Sequence, residues 1–252
     1  MARALECGFG MDGLLRARTD VIKGILNGAD LRQWNPEIDK KIPETYSARS
    51  MAGKAKCKEE LQKKMGLEVN PDIPVIGIVT RLVDQKGIAE IFAPTYGSIY
   101  QICTDMKVQF AILGSGESWC ENEICALQSK LPNLRAYIGY DDALSHLIEA
   151  GSDFFLMPSK YEPCGLNQIY SMLYGTLPIV RKTGGLADTV DNYNQQTGEG
   201  TGFVFEQLTP RAIYDTVGWA VWAYYNKKDH IKKMQQAGMK YHKNNLERIV
   251  VL

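Results

Sequence analysis

Two cations separated by four residues follow the first long apolar run of the chain. The segment reads Arg81-Leu-Val-Asp-Gln-Lys86-Gly87 and lies between a predicted strand and a predicted helix. Arginine offers a planar pair of N–H donors, lysine a point charge, and a helix start adds backbone N–H groups. Together these groups suit a diphosphate. On this motif alone, the alternative that both side chains are merely solvated stays open.

A carboxylate, Glu162, lies in a turn that also joins an apolar run to a predicted helix. The segment from Ser159 to Gln168 reads S-K-Y-E-P-C-G-L-N-Q. A glycine in such a turn lets backbone amides approach a ligand, and a carboxylate there faces whatever those amides bind. Helix capping by Glu162 is the simpler alternative. The rigid Pro-Cys-Gly sequence and the neighbouring motifs favour a functional role.

Two further glycine-rich junctions have the same placement. Leu113-Gly-Ser-Gly-Glu117 follows the second long apolar run, and Thr183-Gly184-Gly185 follows a later one. Backbone N–H groups at strand-to-helix junctions bind anions or sugar hydroxyls, although a plain tight turn is an equal reading of the first. Each junction is ambiguous alone, but together they predict one site.

The elements that position these motifs alternate between strand and helix patterns. Continuous apolar runs indicate parallel strands covered on both faces, and the segments between them have helical spacing. We therefore predict an α/β fold with a doubly wound, Rossmann-like parallel sheet, with ligands beyond the carboxyl ends of the strands. The predicted strands are residues 74–80, 108–114, 134–139, 153–158, 177–180 and 202–205, and the intervening helices are 87–104, 117–130, 141–150, 165–174 and 185–192.

The ends of the chain differ from this central pattern. Residues 1–73 contain turn signals and one predicted helix at 51–65, and we interpret them as a hinge and linker lead-in. Residues 74–205 form the predicted Rossmann-like domain, and residues 206–252 add two amphipathic helices to it, at 209–226 and 227–244.

Composition excludes several classes of protein. The 252 residues carry 29 basic and 29 acidic side chains, so no overall charge recruits nucleic acid or an anionic membrane. The six cysteines contain no C-x-x-C pair and the histidines number three, which argues against a zinc cluster and predicts no metal. No secretory signal or membrane-spanning run is present, so we expect a cytoplasmic protein, with a plastid location open for a plant or alga.

The motifs, in their order, resemble the bacterial glycogen synthase and plant starch synthase family. They are T-R-L-x-x-Q-K-G, I-G-Y-D-D-A-L-S-H, P-S-x-Y-E-P-C-G-L-N-Q, Y-G-T-L-P-I-V-R and T-G-G-L-A-D-T-V, with hinge-like segments G-F-G-M-D-G-L-L and I-L-N-G-A-D-L-x-x-W-N-P upstream. The resemblance runs from about Gly8 to Phe205. It implies the C-terminal lobe of a GT-B enzyme that transfers glucose from ADP-glucose to the non-reducing end of an α-1,4-glucan. Configuration is retained, ADP is the product, and no cofactor takes part.

The resemblance also implies roles for individual residues. Arg81 and Lys86 would hold the diphosphate and stabilise the leaving nucleotide, and Glu162 would hydrogen-bond the donor glucose. The other implied binding residues are backbone amides at Cys164, Gly165 and Leu166, the turn of Thr183, Gly184 and Gly185, Gly139 with Tyr140 stacked on adenine, and Asn27 from the hinge. Asn167 stands where the family commonly has threonine, which weakens the case for that phosphate contact.

The sequence lacks the family's N-terminal K-x-G-G-L segment, the acceptor-binding lobe and the closing F-S-W segment. We therefore expect an excised donor-binding domain that is inactive alone and meets its glucan acceptor through the other lobe. Two alternatives stay open. One is a non-catalytic nucleotide- or glucan-binding module, and the other is a transferase that uses UDP-glucose.

Overall fold

The computed structural model describes residues 10–22 and 27–246, without the side chains of 241–246. Its centre is a sheet of six parallel strands in the order β3-β2-β1-β4-β5-β6, which confirms the predicted doubly wound fold. The strands are β1 Val75–Leu82, β2 Gln109–Gly116, β3 Leu134–Ile138, β4 Phe154–Met157, β5 Leu177–Arg181 and β6 Phe203–Phe205. Parts of both hinge-like motifs, including residues 8, 9, 25 and 26, lie outside the described residues.

Helices cover both faces of this sheet. Two hydrophobic clusters result, one on each side, because the strands are apolar on both faces. The helices are α1 Asp12–Ala17, α2 Ala52–Met65, α3 Ile88–Phe92, α4 Ile99–Asp105, α5 Ser118–Lys130, α6 Asp142–Gly151, α7 Asn167–Leu173, α8 Gly184–Thr189, α9 Pro210–Asn226 and α10 Lys228–Leu246. Among the described residues, no helix has the length and apolar composition needed to cross a bilayer.

A crevice opens between the two central strands. Strand β1 pairs with β2 over its whole length, but with β4 only at Ile76↔Phe154 and Gly77↔Phe155. From β1 the chain winds outwards to β2 and β3, and from β4 it winds the other way to β5 and β6. Loops after β1 and β4 therefore leave in opposite directions, and ligands bind at this position in doubly wound sheets.

The prediction of a single helix at residues 87–104 is wrong, because the chain forms two helices there. Pro94 follows α3 directly, and a residue before proline avoids the helical region, as the extended ψ of 131° at Ala93 shows. At Gly97 the turn is so tight that an added Cβ would lie 2.5 Å from the carbonyl oxygen of Ile91. The chain resumes a helical course at Ile99.

The described part of the predicted lead-in, residues 27–73, packs against the central domain. Helix α2 lies along α6, and Cys57 and Leu61 are completely buried between them. The phenol of Tyr46 is also buried and donates to the carbonyl oxygen of Tyr174 at 2.8 Å. This segment therefore fixes α6 and α7, which in turn carry residues of the site described below.

Candidate functional site

The end of β1 and the loop that follows it bring Arg81 and Lys86 to the crevice. A short 3₁₀ helix, Asp84–Lys86, is followed by Gly87 with a φ of 70°. A Cβ at Gly87 would lie 2.2 Å from the carbonyl oxygen of Pro158, so only glycine permits this approach of the β1 and β4 loops. Among the described residues, the exposed guanidinium of Arg81 makes one long contact, 3.5 Å to Gln85 Oε1, and is available to a ligand.

The loop after β4 places Glu162 opposite Lys86. The ammonium group of Lys86 contacts Glu162 Oε2, and Ser159 Oγ donates to the same oxygen at 3.3 Å. The side chain of Glu162 is 9% exposed and that of Lys86 is 19% exposed. A charge so poorly solvated is stable only when paired and hydrogen-bonded, so each group compensates the other.

The turn after Glu162 is held from two sides. Gly185 N–H at the start of α8 donates to the carbonyl oxygen of Glu162 at 3.0 Å. A Cβ at Gly185 would lie 2.0 Å from the carbonyl oxygen of Cys164, so glycine is required there. The buried amide of Gln168 donates to the carbonyl oxygens of Cys164 at 2.9 Å and Gly165 at 3.2 Å. The backbone that carries Glu162 and the amides after it is therefore fixed before any ligand arrives.

A cavity of about 210 Å³, here called the crevice pocket, lies between these loops. Asn167 lies in its wall and donates from its side chain to the carbonyl oxygen of Val79 at 2.7 Å, which ties α7 to β1. The polar side chains and amides that line it come from the end of β1, from both loops and from the start of α7: Thr80, Arg81, Lys86, Ser159, Glu162, Gly165, Leu166 and Asn167.

A second cavity of about 300 Å³, here called the aromatic pocket, adjoins it above β1, β2 and β3. Thr80, Arg81 and Asn167 line both cavities, so the two form one continuous site. Gly139 and Tyr140 line the aromatic pocket after β3, and the Tyr140 side chain is free to cover a ligand because Tyr140 is 84% exposed.

Trp34 forms another wall of the aromatic pocket, and we did not predict it as a site residue. Its ring is stacked between His146, at 3.8 Å, and Tyr170, at 4.0 Å. Beneath it, Asp39 accepts hydrogen bonds from His146 Nδ1 at 2.7 Å and from the Tyr174 hydroxyl at 2.5 Å. Burial works against ionisation of Asp39, but these hydrogen bonds outweigh it and lower its pKa. The sequence offered only the Trp-Asn-Pro turn signal here.

Glu149 is a second residue in the wall of the aromatic pocket that we did not predict as a site residue. It lies on α6, is 1% exposed and lines the aromatic pocket. Desolvation raises the pKa of its carboxyl to about 8, although the hydrogen bond from Ser171 and the charge of Lys54 oppose the shift. A glutamate within an amphipathic helix gives no sequence signal of such burial.

The remaining predicted site residues lie at the edges of this arrangement. Asn27 N–H lies 3.2 Å from Cys164 Sγ, so the described start of the second hinge-like segment reaches the turn after Glu162. Thr183 and Gly184 lie at the start of α8 and line neither cavity, and their contribution is to set Gly185 against the turn. Within residues 10–22 and 27–246, no group of three or more His, Cys, Asp or Glu residues is placed to hold a metal ion.

The chain is similar to glycogen synthases and starch synthases. It is 63% identical to glycogen synthase of Treponema denticola over 93% of this chain and 48% of that protein. It is 48% identical to glycogen synthase 1 of Geobacter metallireducens over 91% of this chain and 45% of that protein. The chain thus spans about half the length of these curated relatives.

A solved structure agrees with these relatives. The catalytic domain of starch synthase IV from Arabidopsis thaliana, bound to ADP and acarbose, superimposes with a TM-score of 0.86 at 33% identity, over 94% of this chain and 49% of that one. This likeness confirms the predicted fold and the resemblance carried by the motifs. The family model described as glycosyl transferases group 1 matches residues 59–237, and the chain therefore belongs to that family.

Proposed function

We propose that this chain is the donor-binding half of a glycogen or starch synthase. It would bind ADP-glucose in the two connected pockets, for glucose transfer with retention to the non-reducing end of an α-1,4-glucan. The observation that carries the proposal is the meeting of Arg81, Lys86 and Glu162 at the mouth of one crevice, between β1 and β4. The similarity to named glycogen and starch synthases over almost the whole chain supports it.

In this proposal the crevice pocket receives the diphosphate and the donor sugar. Arg81 and Lys86 offer the positive charge that a departing nucleotide diphosphate requires, and they lie on a fixed backbone. Glu162 would accept hydrogen bonds from sugar hydroxyls and stabilise positive charge at the anomeric carbon. The amides near Gly165 and Leu166 would bind sugar or phosphate oxygens.

Donor binding would have to separate Lys86 from Glu162. The two side chains neutralise each other in the ligand-free site. A diphosphate offers Lys86 a stronger anionic partner, while the sugar hydroxyls offer Glu162 hydrogen-bond donors in exchange. A ligand with both groups leaves neither charge unpaired, whereas a ligand with the diphosphate alone leaves Glu162 without a partner and should bind more weakly. The pair would thereby favour the complete donor over free phosphate.

The aromatic pocket would receive the nucleoside. Its volume of about 300 Å³ suits a base and ribose, and its mouth carries the exposed ring of Tyr140 for stacking. Gly114 of β2 and Gly139 after β3 line this pocket near the carboxyl edge of the sheet. The donor occupies both connected pockets in this proposal, so we assign the glucan acceptor to the other lobe of the parent enzyme.

Calorimetric titration of the chain with ADP and with UDP tests the proposal. We expect ADP to bind more tightly than UDP, and Arg81→Ala to reduce ADP affinity by about tenfold or more. Arg211→Ala, which removes an exposed arginine from α9, is the matched control and should bind ADP normally. The same affinity for ADP in the two variants would refute the assigned diphosphate site, and a preference for UDP would refute the assigned donor.

A further inference from the structure

Glu149 belongs to a polar face of α6 that lines the aromatic pocket. Asp142, Ser145 and Glu149 are spaced by three and four residues, so they lie on one face of the helix, and all three line the aromatic pocket. Asp142 is solvent-exposed, whereas Glu149 lies at the inner end and is almost completely buried. A carboxyl group therefore forms part of the pocket's inner wall.

The hydrogen bonds around this carboxyl favour its protonated form. Ser171 Oγ lies 2.6 Å from Glu149 Oε2 and 2.8 Å from the carbonyl oxygen of Asn167. The serine hydroxyl has one hydrogen and cannot donate to both acceptors at once. If Glu149 carries a proton on Oε2, it donates to Ser171 Oγ, which in turn donates to Asn167, and both bonds are made.

Among the residues that the structure describes, no cation forms a salt bridge with the Glu149 carboxyl, and the charge of Lys54 acts on it without direct contact. The ammonium group of Lys54 donates instead to the carbonyl oxygen of Ala150 at 2.9 Å and to Thr176 Oγ1 at 2.7 Å. Burial lowers the pKa of Lys54 to about 8 and raises that of the Glu149 carboxyl to about 8. The other titratable groups whose charges interact with Glu149 are phenols with raised pKa values, Tyr46, Tyr170 and Tyr174.

The second carboxyl oxygen, Oε1, is free. Within residues 10–22 and 27–246, every hydrogen bond made by the Glu149 carboxyl goes through Oε2. An unpaired polar atom in the wall of a pocket is available to a ligand or a water molecule. As part of a neutral carboxylic acid, Oε1 is an acceptor without a full negative charge.

We propose that Glu149 is a specificity residue, held as the neutral acid, whose Oε1 accepts a hydrogen bond from a hydroxyl or amine of the donor's nucleoside. The inference rests on the proposed function, because it places a nucleoside in the aromatic pocket. A neutral wall also suits the diphosphate, which would lie near Arg81 at the junction of the two pockets. A second anion there would repel it.

The proposal predicts a direction for the pH dependence. Because the diphosphate and further desolvation both oppose ionisation of Glu149, nucleotide binding favours the protonated form. Affinity for ADP should therefore fall as the pH rises through the ionisation of Glu149. We expect ADP to bind about tenfold more weakly at about pH 9.5 than at about pH 7.

Two measurements test this inference in the intact chain. The first follows the ¹³C shift of the Glu149 side-chain carboxyl with pH, assigned by its loss in Glu149→Gln. Ionisation in the ordinary range near pH 4.5 would overturn the proposal whether or not nucleotide binds. The second compares ADP affinity at the two pH values in the wild type, in Glu149→Gln and in Glu149→Leu.

Each variant has its own expected result. Glutamine retains an acceptor and a donor to Ser171, so Glu149→Gln should bind ADP like the wild type at about pH 7 and lose most of the fall at high pH. Leucine has no acceptor, so Glu149→Leu should bind about tenfold more weakly at both pH values. Glu60→Gln, an exposed change on α2, should behave as the wild type does.

The outcomes separate this inference from the proposed function. ADP binding that is the same in the wild type and Glu149→Leu would overturn the role of Glu149 alone. A wild type that binds no ADP at any pH would overturn the proposed function and this contact with it. Two further ligands identify the group that donates the hydrogen bond to Glu149. If Glu149→Leu no longer changes the affinity for 2′-deoxy-ADP, the group is the ribose 2′-hydroxyl. If it no longer changes the affinity for UDP, the group is the adenine amine.

Discussion

The crevice pocket and the aromatic pocket adjoin each other, yet their residues come from different parts of the sequence. Arg81 lies at the end of β1, and Lys86 and Glu162 lie in the short glycine-containing loops that follow β1 and β4. The walls of the aromatic pocket combine Trp34, from a segment far upstream, with Glu149 from the middle of a helix and Tyr140 from a third loop. One pocket depends on local loop geometry, whereas the other depends on how distant segments pack.

The two pockets also treat charge differently. Lys86 and Glu162 in the crevice pocket are both charged groups that compensate each other. Asp39 and Glu149, beneath and beside the aromatic pocket, are kept in opposite states by their surroundings, since hydrogen bonds lower the pKa of one and burial raises that of the other. In the proposed donor complex, the diphosphate would meet the charged Lys86–Glu162 pair and the nucleoside would meet the neutral acid of Glu149.

Gly87→Ala should have the largest effect and would break the crevice pocket. A Cβ there would lie 2.2 Å from the carbonyl oxygen of Pro158 and would also force a positive φ on alanine. We expect a loss of about 3 kcal/mol or more in the free energy of unfolding, measured by urea denaturation.

Gly66→Ala is the matched control for this change. Gly66 has a φ of 69°, close to that of Gly87, but nothing lies within 4 Å of the position of its Cβ. It should lose only about 1 kcal/mol, from the positive φ alone. Equal losses in the two variants would show that close approach of the β1 and β4 loops does not constrain the crevice.

Lys86→Ala should be the next largest change. It leaves the Glu162 carboxylate buried without its cation, and we expect a loss of about 2–3 kcal/mol in stability together with weaker ADP binding. Adding Glu162→Gln should restore most of the stability but not the affinity. If the double variant is as unstable as Lys86→Ala, charge compensation is not what holds this pocket.

Trp34→Ala and Tyr140→Ala should separate packing from binding in the aromatic pocket. Trp34 is stacked on two rings, so its loss should cost about 2 kcal/mol of stability and also reduce ADP affinity. Tyr140 is 84% exposed, so its loss should leave the urea midpoint unchanged and weaken ADP binding by about tenfold. An unstable Tyr140→Ala would contradict this division.

The pH dependence of stability should show the smallest effect. The folded-state pKa of Glu149 is raised to about 8 from 4.5, so between those values the folded protein retains a proton that the unfolded chain releases. Stability therefore declines as pH rises through that window. Glu149→Gln should remove this part of the slope and gain about 1–2 kcal/mol near the upper end, whereas Glu60→Gln should follow the wild-type curve.

The sequence was most informative where chemistry and turn geometry coincide. The six strands, the doubly wound order and the meeting of Arg81, Lys86 and Glu162 could be predicted, because each motif stands at a strand end and parallel strands share their carboxyl edge. The prediction of one helix at 87–104 was wrong because Pro94 and Gly97 form a turn that divides it. The apolar spacing on either side of the turn is still helical, so the spacing does not reveal the break. Trp34 and Glu149 were missed since neither has a local signal of its contacts.

What the sequence alone determined, then, is the sheet, its edge and the charged residues gathered there. Alternation of apolar runs with helical segments specifies the layers, and glycine and charge at each junction specify the loops. Only the tertiary structure decided that Trp34 forms a wall of the aromatic pocket, that Lys86 and Glu162 neutralise each other and that Glu149 is buried with no salt bridge to it among the described residues. Burial and pairing depend on contacts between residues distant along the chain, and these determine pKa values and ligand access.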